Sequence, residues 1–110
     1  MTNKEEKTEF TLTGKQRKFL KGLGHHLEPL ITIGKEGITD NILKVTRQEL
    51  LARELIKVKI AVSSSINKHD AAKLLPITTD STLVHLLGKT LLLYKENLKK
   101  EKELRISLPR

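Results

Sequence analysis

The feature that most constrains the fold of this chain is the junction at residues 31–39, where a strand-like run meets a tight turn and a helix start. The β-branched run Ile31–Ile33 favours a buried strand. Gly34 and Gly37 follow three residues apart and allow a sharp turn without a Cβ in the way. Thr39 or Asp40 is a candidate N-cap, and the helix start beyond the glycines offers unpaired N–H groups that suit an anion. The junction therefore predicts a backbone turn that can approach a phosphate group.

The distribution of charge predicts a polyanionic partner. The chain of 110 residues carries 21 Lys and Arg against 13 Asp and Glu, a net charge of +8. Residues 13–27 contain basic residues without a single acidic one, which favours phosphate contacts over mere solvation of a helix. Aromatic residues make up only 3% of the chain, which argues against a sheet that stacks bases on exposed rings. The basic candidates in this segment are Lys15, Arg17, Lys18 and Lys21.

Length and composition limit the classes of protein to consider. A chain of 110 residues suffices for one domain and not for two ordinary ones. Because Cys is absent, disulfides and thiolate sites are excluded, which fits a reducing cytoplasm. The N-terminus lacks the apolar segment of a secretory signal, and no apolar run approaches the roughly 20 residues of a membrane span. We expect a cytoplasmic monomer with no membrane partner, organised as a disordered lead-in (1–11), one domain (12–95) and a charged C-terminal tail (96–110).

Three segments have the spacing of amphipathic helices. The first begins at the capping box formed by Thr13 and Gln16 and is ended by Gly22 and Gly24. The second covers about 40–53, and the third about 66–75, because Pro76 is expected to end or distort it. The residues predicted to face the core are Phe19, Leu20 and Leu23 in the first helix, Ile42, Leu43, Thr46 and Leu50 in the second, and Ala71, Leu74 and Leu75 in the third.

Four apolar segments are predicted strands: 30–33, 55–62, 83–87 and 90–94. The second alternates apolar residues with lysines, so that one face is covered and the other wet. Gly88 and Lys89 suit a two-residue hairpin turn between the last two strands. Right-handed crossovers place the second and third helices on one face of the sheet. The fold class predicted is α/β: a two-layer sandwich with a four-stranded mixed sheet, in the order α-β-α-β-α-β-β, and one open sheet face.

Several short sequence motifs occur in an order and spacing that match a known family. The motifs are Lys21-Gly22-Leu23, Gly34-Lys35-Glu36-Gly37-Ile38-Thr39, the segment 54–60, Gly88-Lys89-Thr90-Leu91 before Tyr94, and the ending Ile106-Ser107-Leu108-Pro109-Arg110. With them, roughly residues 12–110 resemble the YhbY family, the single-domain bacterial form of the CRM module (chloroplast RNA splicing and ribosome maturation). The combination is far more specific than a lone Gly-x-x-Gly sequence.

The resemblance implies a fold similar to the C-terminal domain of translation initiation factor three. It also implies RNA binding through the Gly-x-x-Gly loop, association of bacterial members with large ribosomal subunit precursors, and a splicing role for multi-domain plant relatives. Two positions depart from the family: Glu36 is acidic, which Lys35 can offset, and Pro76 sits where a related helix continues. The RNA-binding positions implied are Gly34, Lys35, Glu36 and Gly37 in the loop and Lys15, Arg17, Lys18 and Lys21 in the first helix.

Several of these features also have a purely structural interpretation. The turn at Gly34–Gly37 could be an ordinary strand-to-helix connection. Arg47 is a weaker RNA-binding candidate, because it and Lys44 could instead pair with Asp40 at helical spacing. Lysines at exposed strand positions keep an open sheet face from associating with other chains, and a lysine in a hairpin turn can be a solvated surface residue or can contact RNA. The lysines concerned are Lys57, Lys59 and Lys89.

The sequence contains few residue patterns that would indicate a catalytic site or a metal site. His25 and His26 are adjacent and cannot easily face one metal, and no His-x-x-x-His or carboxylate cluster is present. Ser63–Ser65 with His69 lacks the strained elbow and orienting acid of a nucleophile site. The P-loop-like tripeptide that begins at Gly88 lacks its upstream glycine. We therefore predict a protein that is not an enzyme, with no catalytic residues, no metal and no cofactor.

The function predicted is that of an RNA-binding protein that clamps the RNA backbone with the glycine loop and the adjacent basic helix. The resemblance adds a role in large ribosomal subunit assembly, with large-subunit ribosomal RNA or its precursor particle as partner. The alternative is a protein-interaction module that docks on a ribosomal or regulatory protein through the open sheet face or the C-terminal tail.

Overall fold

The computed structural model describes residues 11–110 and contains three helices around a four-stranded mixed sheet. The order of the elements is the predicted one. The strands are connected as predicted too, with Gly88 at φ +59 in the hairpin turn. The elements are α1 (Gly14–Gly24), β1 (Pro29–Ile33), α2 (Asp40–Arg53), β2 (Leu55–Ile60), α3 (Lys68–Thr79), β3 (Thr82–Leu87), β4 (Thr90–Tyr94) and a 3-10 turn at Lys102–Leu104.

The sheet has the strand order β1-β2-β4-β3, with β1 parallel to β2 and β4 antiparallel to both of its neighbours. Both crossover helices, α2 and α3, lie on one face, as predicted, and seal the larger core. β2 ends at Ile60, so Val62, which was predicted to continue the alternation, is 89% exposed. Fully buried members of this core are Ile33, Ile56, Val58, Ala71, Leu75, Leu91 and Leu93.

The second face of the sheet is partly covered, whereas the sequence predicts it to be open. A second cluster of buried residues, including Leu20 of α1, Leu55 and Tyr94, lies at the end of the sheet where β2 begins. Ile106 and Leu108 from the C-terminal segment pack against this cluster. The half of this face toward the hairpin stays accessible, since Lys59 and Leu87 are exposed there.

Glu54 holds the C-terminal segment on the domain. It follows the last turn of α2 with φ +68, and its side chain is fully buried. Its carboxylate accepts the backbone N–H of Asn97 through Oε2 at 2.7 Å and that of Ile106 through Oε1 at 2.7 Å. Residues 96–110, expected to form a charged tail, therefore return over the domain and are tied to its core.

The buried face of α1 differs from the predicted one. Phe19 and Leu23 are 38% and 40% exposed, and only Leu20 of the predicted trio is buried. The stripe that faces the sheet contains Arg17, Leu20 and Gly24 instead. An apolar pattern finds the most hydrophobic side of a helix, and here the side that faces the sheet also carries a glycine and a half-buried cation.

α3 continues through Pro76 and ends at Thr79, so the predicted helix end at about residue 75 is wrong. The fixed φ of proline is compatible with a helix, and only one N–H is lost. The Thr79 hydroxyl donates to the Leu75 carbonyl at 2.7 Å. Asp80 then adopts the left-handed conformation at φ +54, and the Ser81 N–H closes the helix end on the Pro76 carbonyl at 2.9 Å.

Candidate nucleic-acid interface

The two glycines of the Gly34–Gly37 loop have different roles. The N–H of Gly37 donates to the Gly34 carbonyl at 3.0 Å, which closes a tight turn. Gly37 has φ +75, and a Cβ added there would lie 2.9 Å from Ser65 Oγ, so the fold itself requires glycine. Gly34 does not have a positive φ, and a Cβ added there would meet no atom within 4 Å in the described structure. The structural interpretation of the turn therefore explains Gly37 but not Gly34.

The start of α2 is partly satisfied by its own residues. The Thr39 hydroxyl accepts the N–H of Ile42 at 3.1 Å, and Asp40 places a carboxylate in the first turn. Lys35 and Glu36 are exposed at the tip of the preceding loop. The loop tip therefore presents the Lys35 ammonium and the Glu36 carboxylate to solvent, next to a helix start that is partly capped.

The β3–β4 hairpin and the glycine loop lie at the same end of the sheet, where β1 and β2 finish. The Ile60 N–H donates to the Lys89 carbonyl at 2.7 Å, and the Ala61 N–H donates to the Ile33 carbonyl at 2.9 Å. These bonds join the ends of β1 and β2 to the hairpin, so Lys89 belongs to the surface around the loop. A cavity of about 470 Å³ at this end of the sheet is lined by residues that include Ser64, Ser65, Lys68, His69 and Lys89.

The predicted basic residues of α1 fall into separate environments. Lys15 and Lys18 are exposed. Arg17 turns to the sheet, where Nη1 donates to the carbonyl oxygens of Leu83 at 2.9 Å and Val84 at 2.6 Å. These contacts lie at the start of β3, which is the opposite end of the sheet from the hairpin and the glycine loop. The helix and the loop are therefore not one contiguous cluster.

Three lysines lie along the second face of the sheet, from the last turn of α1 toward the hairpin end. Lys21 belongs to α1, and Lys57 and Lys59 belong to β2; we call these three residues the basic strip. Lys21 and Lys57 line a cavity of about 350 Å³ under the last turn of α1. The Lys57 ammonium donates to the Leu27 carbonyl at 3.0 Å. Lys59 is the next residue of β2 on this face and is exposed. Sequence reasoning favoured a protective role for Lys57 and Lys59, although their alternation already placed them opposite the crossover helices.

His85 lies beside the basic strip, and the charge of the strip affects its pKa. A register shift between Leu83 and His85 interrupts the pairing of β3 with β4, and His85 then lines the same cavity as Lys21. Burial, followed by the positive charges of Lys21 and Arg17, lowers the pKa of His85 below its ordinary value of 6.5. His85 is therefore neutral at pH 7, in a positively charged environment.

Arg47, the weaker candidate, lies apart from the other sites. It is on α2, and its Nη2 donates to the Thr78 carbonyl near the end of α3 at 2.7 Å. This contact is on the face of the sheet opposite the basic strip. In the part of the chain that the structure describes, neither Arg47 nor Lys44 forms an ion pair with Asp40. The structure thus brings Arg47 to a helix–helix contact.

Residues 11–110 lack the features of a metal site and of a membrane span. This part of the chain contains no group of three or more His, Cys, Asp or Glu that could hold a metal ion. No helix within it is long and apolar enough to cross a membrane.

Comparison with known proteins places this geometry in a family. The family model described as CRS1 / YhbY (CRM) domain matches residues 12–95. "Probable RNA-binding protein YqeI" of Bacillus subtilis is 44% identical over 86 residues, which cover 78% of this chain and 90% of the relative. "RNA-binding protein" of Haemophilus influenzae is 37% identical over 100 residues, covering 91% and 97%. The solution structure of Staphylococcus aureus SAV1595 matches with a TM-score of 0.72 and 38% identity, over 90% of this chain and 100% of that one.

Proposed function

The chain belongs to the CRS1/YhbY (CRM) domain family, and from this premise we propose that it binds RNA, with the glycine loop approaching the phosphate backbone. One observation carries the role of the loop: Gly34 is glycine where neither its φ nor any atom within 4 Å of an added Cβ requires it. Space that the fold does not use is available to a ligand backbone. The relatives named as RNA-binding proteins support RNA as that ligand.

In the proposed complex, the backbone of the turn faces an RNA strand and basic side chains neutralise its phosphates. Lys35 acts at the loop, Lys15 and Lys18 on the exposed side of α1, and the basic strip between them. Arg17 is left out because its guanidinium holds β3, and Arg47 because it lies on the opposite face. Phosphate contacts position RNA and do not read bases, so specificity would come from RNA shape.

The salt dependence of binding tests the phosphate contacts. A short fluorescein-labelled oligouridine is titrated at several salt concentrations with the wild type, Lys35→Gln and Lys73→Gln. Lys73 is also an exposed lysine, on α3 at the other face, and serves as the control. Each lost phosphate contact on a single strand flattens the log–log slope by about 0.7. We expect this change for Lys35→Gln alone; equal slopes in all three proteins would contradict the proposed surface.

We further propose that the RNA is large-subunit ribosomal RNA or its precursor particle, in the cytoplasm. The support is the resemblance to bacterial family members that are associated with such precursors. Crosslinking in cells, followed by sequencing of the bound RNA and gradient fractionation, tests it. Enrichment of large-subunit RNA in fractions lighter than the mature particle is expected. Crosslinks scattered over unrelated transcripts would remove the assembly role and leave RNA binding in place.

The alternative of a protein-docking module has less free surface available than the sequence suggested. Its two surfaces were the open sheet face and the C-terminal tail. The C-terminal segment covers part of that face and is bound to Glu54 through two backbone N–H groups. The accessible remainder of the face carries the basic strip, which suits a polyanion.

A further inference from the structure

The cavity beside the basic strip has the construction of a binding site for a small molecular group. Its volume of about 350 Å³ is within the range of roughly 300–1,000 Å³ found for small-molecule sites. It opens on the second face of the sheet, between the last turn of α1 and the hairpin. Its walls combine apolar groups with cationic and imidazole groups. The residues concerned are Pro29, Leu87 and Leu92, with Lys21, Lys57 and His85.

Close packing of Gly24 in α1 against Leu92 in β4 bounds the cavity where the helix meets the sheet. A Cβ added to Gly24 would lie 2.7 Å from both terminal methyl carbons of Leu92, so α1 reaches the sheet at this point only because residue 24 is glycine. Gly24 is buried and Leu92 is 5% exposed. The bond from Lys57 to the Leu27 carbonyl, at 3.0 Å, holds one cation at the rim.

The charge of the cavity selects an anionic ligand. Lys21 and Lys57 contribute two ammonium groups, and the lining residues that the structure describes include no carboxylate. Burial, and then the positive charges of Lys21 and Arg17, lower the pKa of His85 in the same cavity. Apolar walls together with two cations match a ligand that has an uncharged apolar part and a negative part.

We propose that this cavity receives the base of one unpaired RNA nucleotide, whose phosphate lies at the Lys21 and Lys57 ammonium groups. The inference rests on the proposed RNA-binding function and extends it from backbone contact to a pocket for a single base. Unpaired bases are commonly splayed out and inserted between side chains, including His, in single-stranded RNA recognition. Lys59 continues the basic strip from the cavity toward the edge that carries the glycine loop.

The test compares two labelled oligonucleotides of equal length: oligouridine and an oligomer of the same ribose-phosphate backbone with abasic positions. The variant Thr90→Trp fills the cavity, which Thr90 lines, without changing charge. Leu51→Trp is the matched control, because Leu51 is 50% exposed on α2 at the other face. Leu87→Glu, at a 69% exposed wall residue, is a second variant that needs no new packing and places a carboxylate at the cavity.

The wild type and Leu51→Trp should bind oligouridine roughly 5- to 150-fold more tightly than the abasic oligomer, the range for one base stacked on an aromatic ring, here the His85 imidazole. Thr90→Trp should lose that preference while keeping its affinity for the abasic oligomer. Leu87→Glu should bind both oligomers less tightly. Circular dichroism of each variant verifies the fold before binding is compared.

Two outcomes overturn the pocket. If the wild type binds both oligomers equally, the cavity attracts phosphate without a base. If Thr90→Trp and Leu87→Glu both behave as the wild type while Lys35→Gln weakens binding, the loop function stands and the pocket falls. Absence of binding to either oligomer by the wild type would instead remove the proposed function and the pocket together.

Discussion

Arg17 of α1 donates a hydrogen bond from Nη1 to the carbonyl oxygen of Val84 in β3 at 2.6 Å. The same nitrogen contacts the Leu83 carbonyl at 2.9 Å. The pairing of β3 with β4 shifts register between Leu83 and His85, and such irregularities leave backbone groups without ladder partners. The guanidinium supplies donors to carbonyls at this shift and ties the helix to the sheet.

Replacement of Arg17 should therefore lower stability. Arg17→Met keeps most of the stem and removes the donors, leaving part-buried carbonyls unpaired. We expect a loss of about 1–2 kcal/mol in the free energy of unfolding, measured in urea. Lys18→Met, at the exposed neighbouring position, should change it by less than about 0.5 kcal/mol. Equal stability of the two variants would show that the Arg17 contacts contribute nothing to the fold.

The two loop glycines should separate binding from stability. Gly37→Ala forces a side chain into φ +75 and against Ser65 Oγ, and should cost about 1–3 kcal/mol of folding free energy. Gly34→Ala has open space and should leave unfolding within about 0.5 kcal/mol of the wild type. Gly34→Ala should nevertheless weaken binding to oligouridine, because the added methyl group keeps the RNA backbone away. A stable Gly34→Ala variant with undiminished affinity would contradict the clamp.

Glu54→Gln should loosen the C-terminal segment. The substitution preserves shape but replaces one of the two carboxylate oxygens that accept from Asn97 and Ile106 with an N–H₂ group. Loss of one charged, buried hydrogen bond should cost about 1.5–3 kcal/mol. Hydrogen exchange of the Asn97 and Ile106 amides should accelerate more than exchange in β4. Unchanged protection of both amides would show that the segment is held by its apolar contacts alone.

Tyr94 provides a spectroscopic test of the second core cluster. Burial, reinforced by the carboxylates of Glu54 and Glu96 and opposed by Arg105, raises the pKa of Tyr94 to about 12. The chain has one Tyr and no Trp, so tyrosinate absorbance reports this residue alone. Titration should give a midpoint near 12 in the folded protein and near 10 in denaturant.

The same shift sets the sign of the pH dependence of stability. Between about pH 10 and 12 the unfolded chain loses the phenol proton while the folded chain keeps it, so stability falls as pH rises through this window. Tyr94→Phe removes this contribution. A native midpoint equal to that of the denatured chain would mean that residues 96–110 leave the phenol accessible to water.

Local sequence predicted those parts of the fold whose signals are local. The Thr13–Gln16 capping box, the bounds of α2 and the hairpin turn at Gly88 were all confirmed, since each depends on residues a few positions apart. The end of α3 was missed, because the hydroxyl of Thr79 and the left-handed Asp80 support the helix beyond Pro76. Of the predicted buried face of α1 only Leu20 was confirmed, because Gly24 and the half-buried Arg17 form the rest of the side that meets the sheet.

The candidate site divides in the same way. The glycine loop was found from sequence because a strand, two glycines and a helix start are contiguous. The assignment of Arg17 to RNA did not foresee its bonds to β3, and Lys57 and Lys59 received a protective role. Their proximity to Lys21 depends on α1 crossing the second face of the sheet, which no local pattern records.

The sequence by itself determined the element order, the crossover topology, the positive charge and the family, since these follow from periodicity, turn chemistry and composition. Only the tertiary structure decided which cations remain available, because a guanidinium is as basic in the sequence whether it meets solvent or a carbonyl. It also decided that Glu54 binds the C-terminal segment and that Gly24 allows the cavity beside the basic strip to form. Hydrogen bonds and close contacts between residues distant in sequence depend on the packed backbone, and charge and hydropathy alone do not specify them.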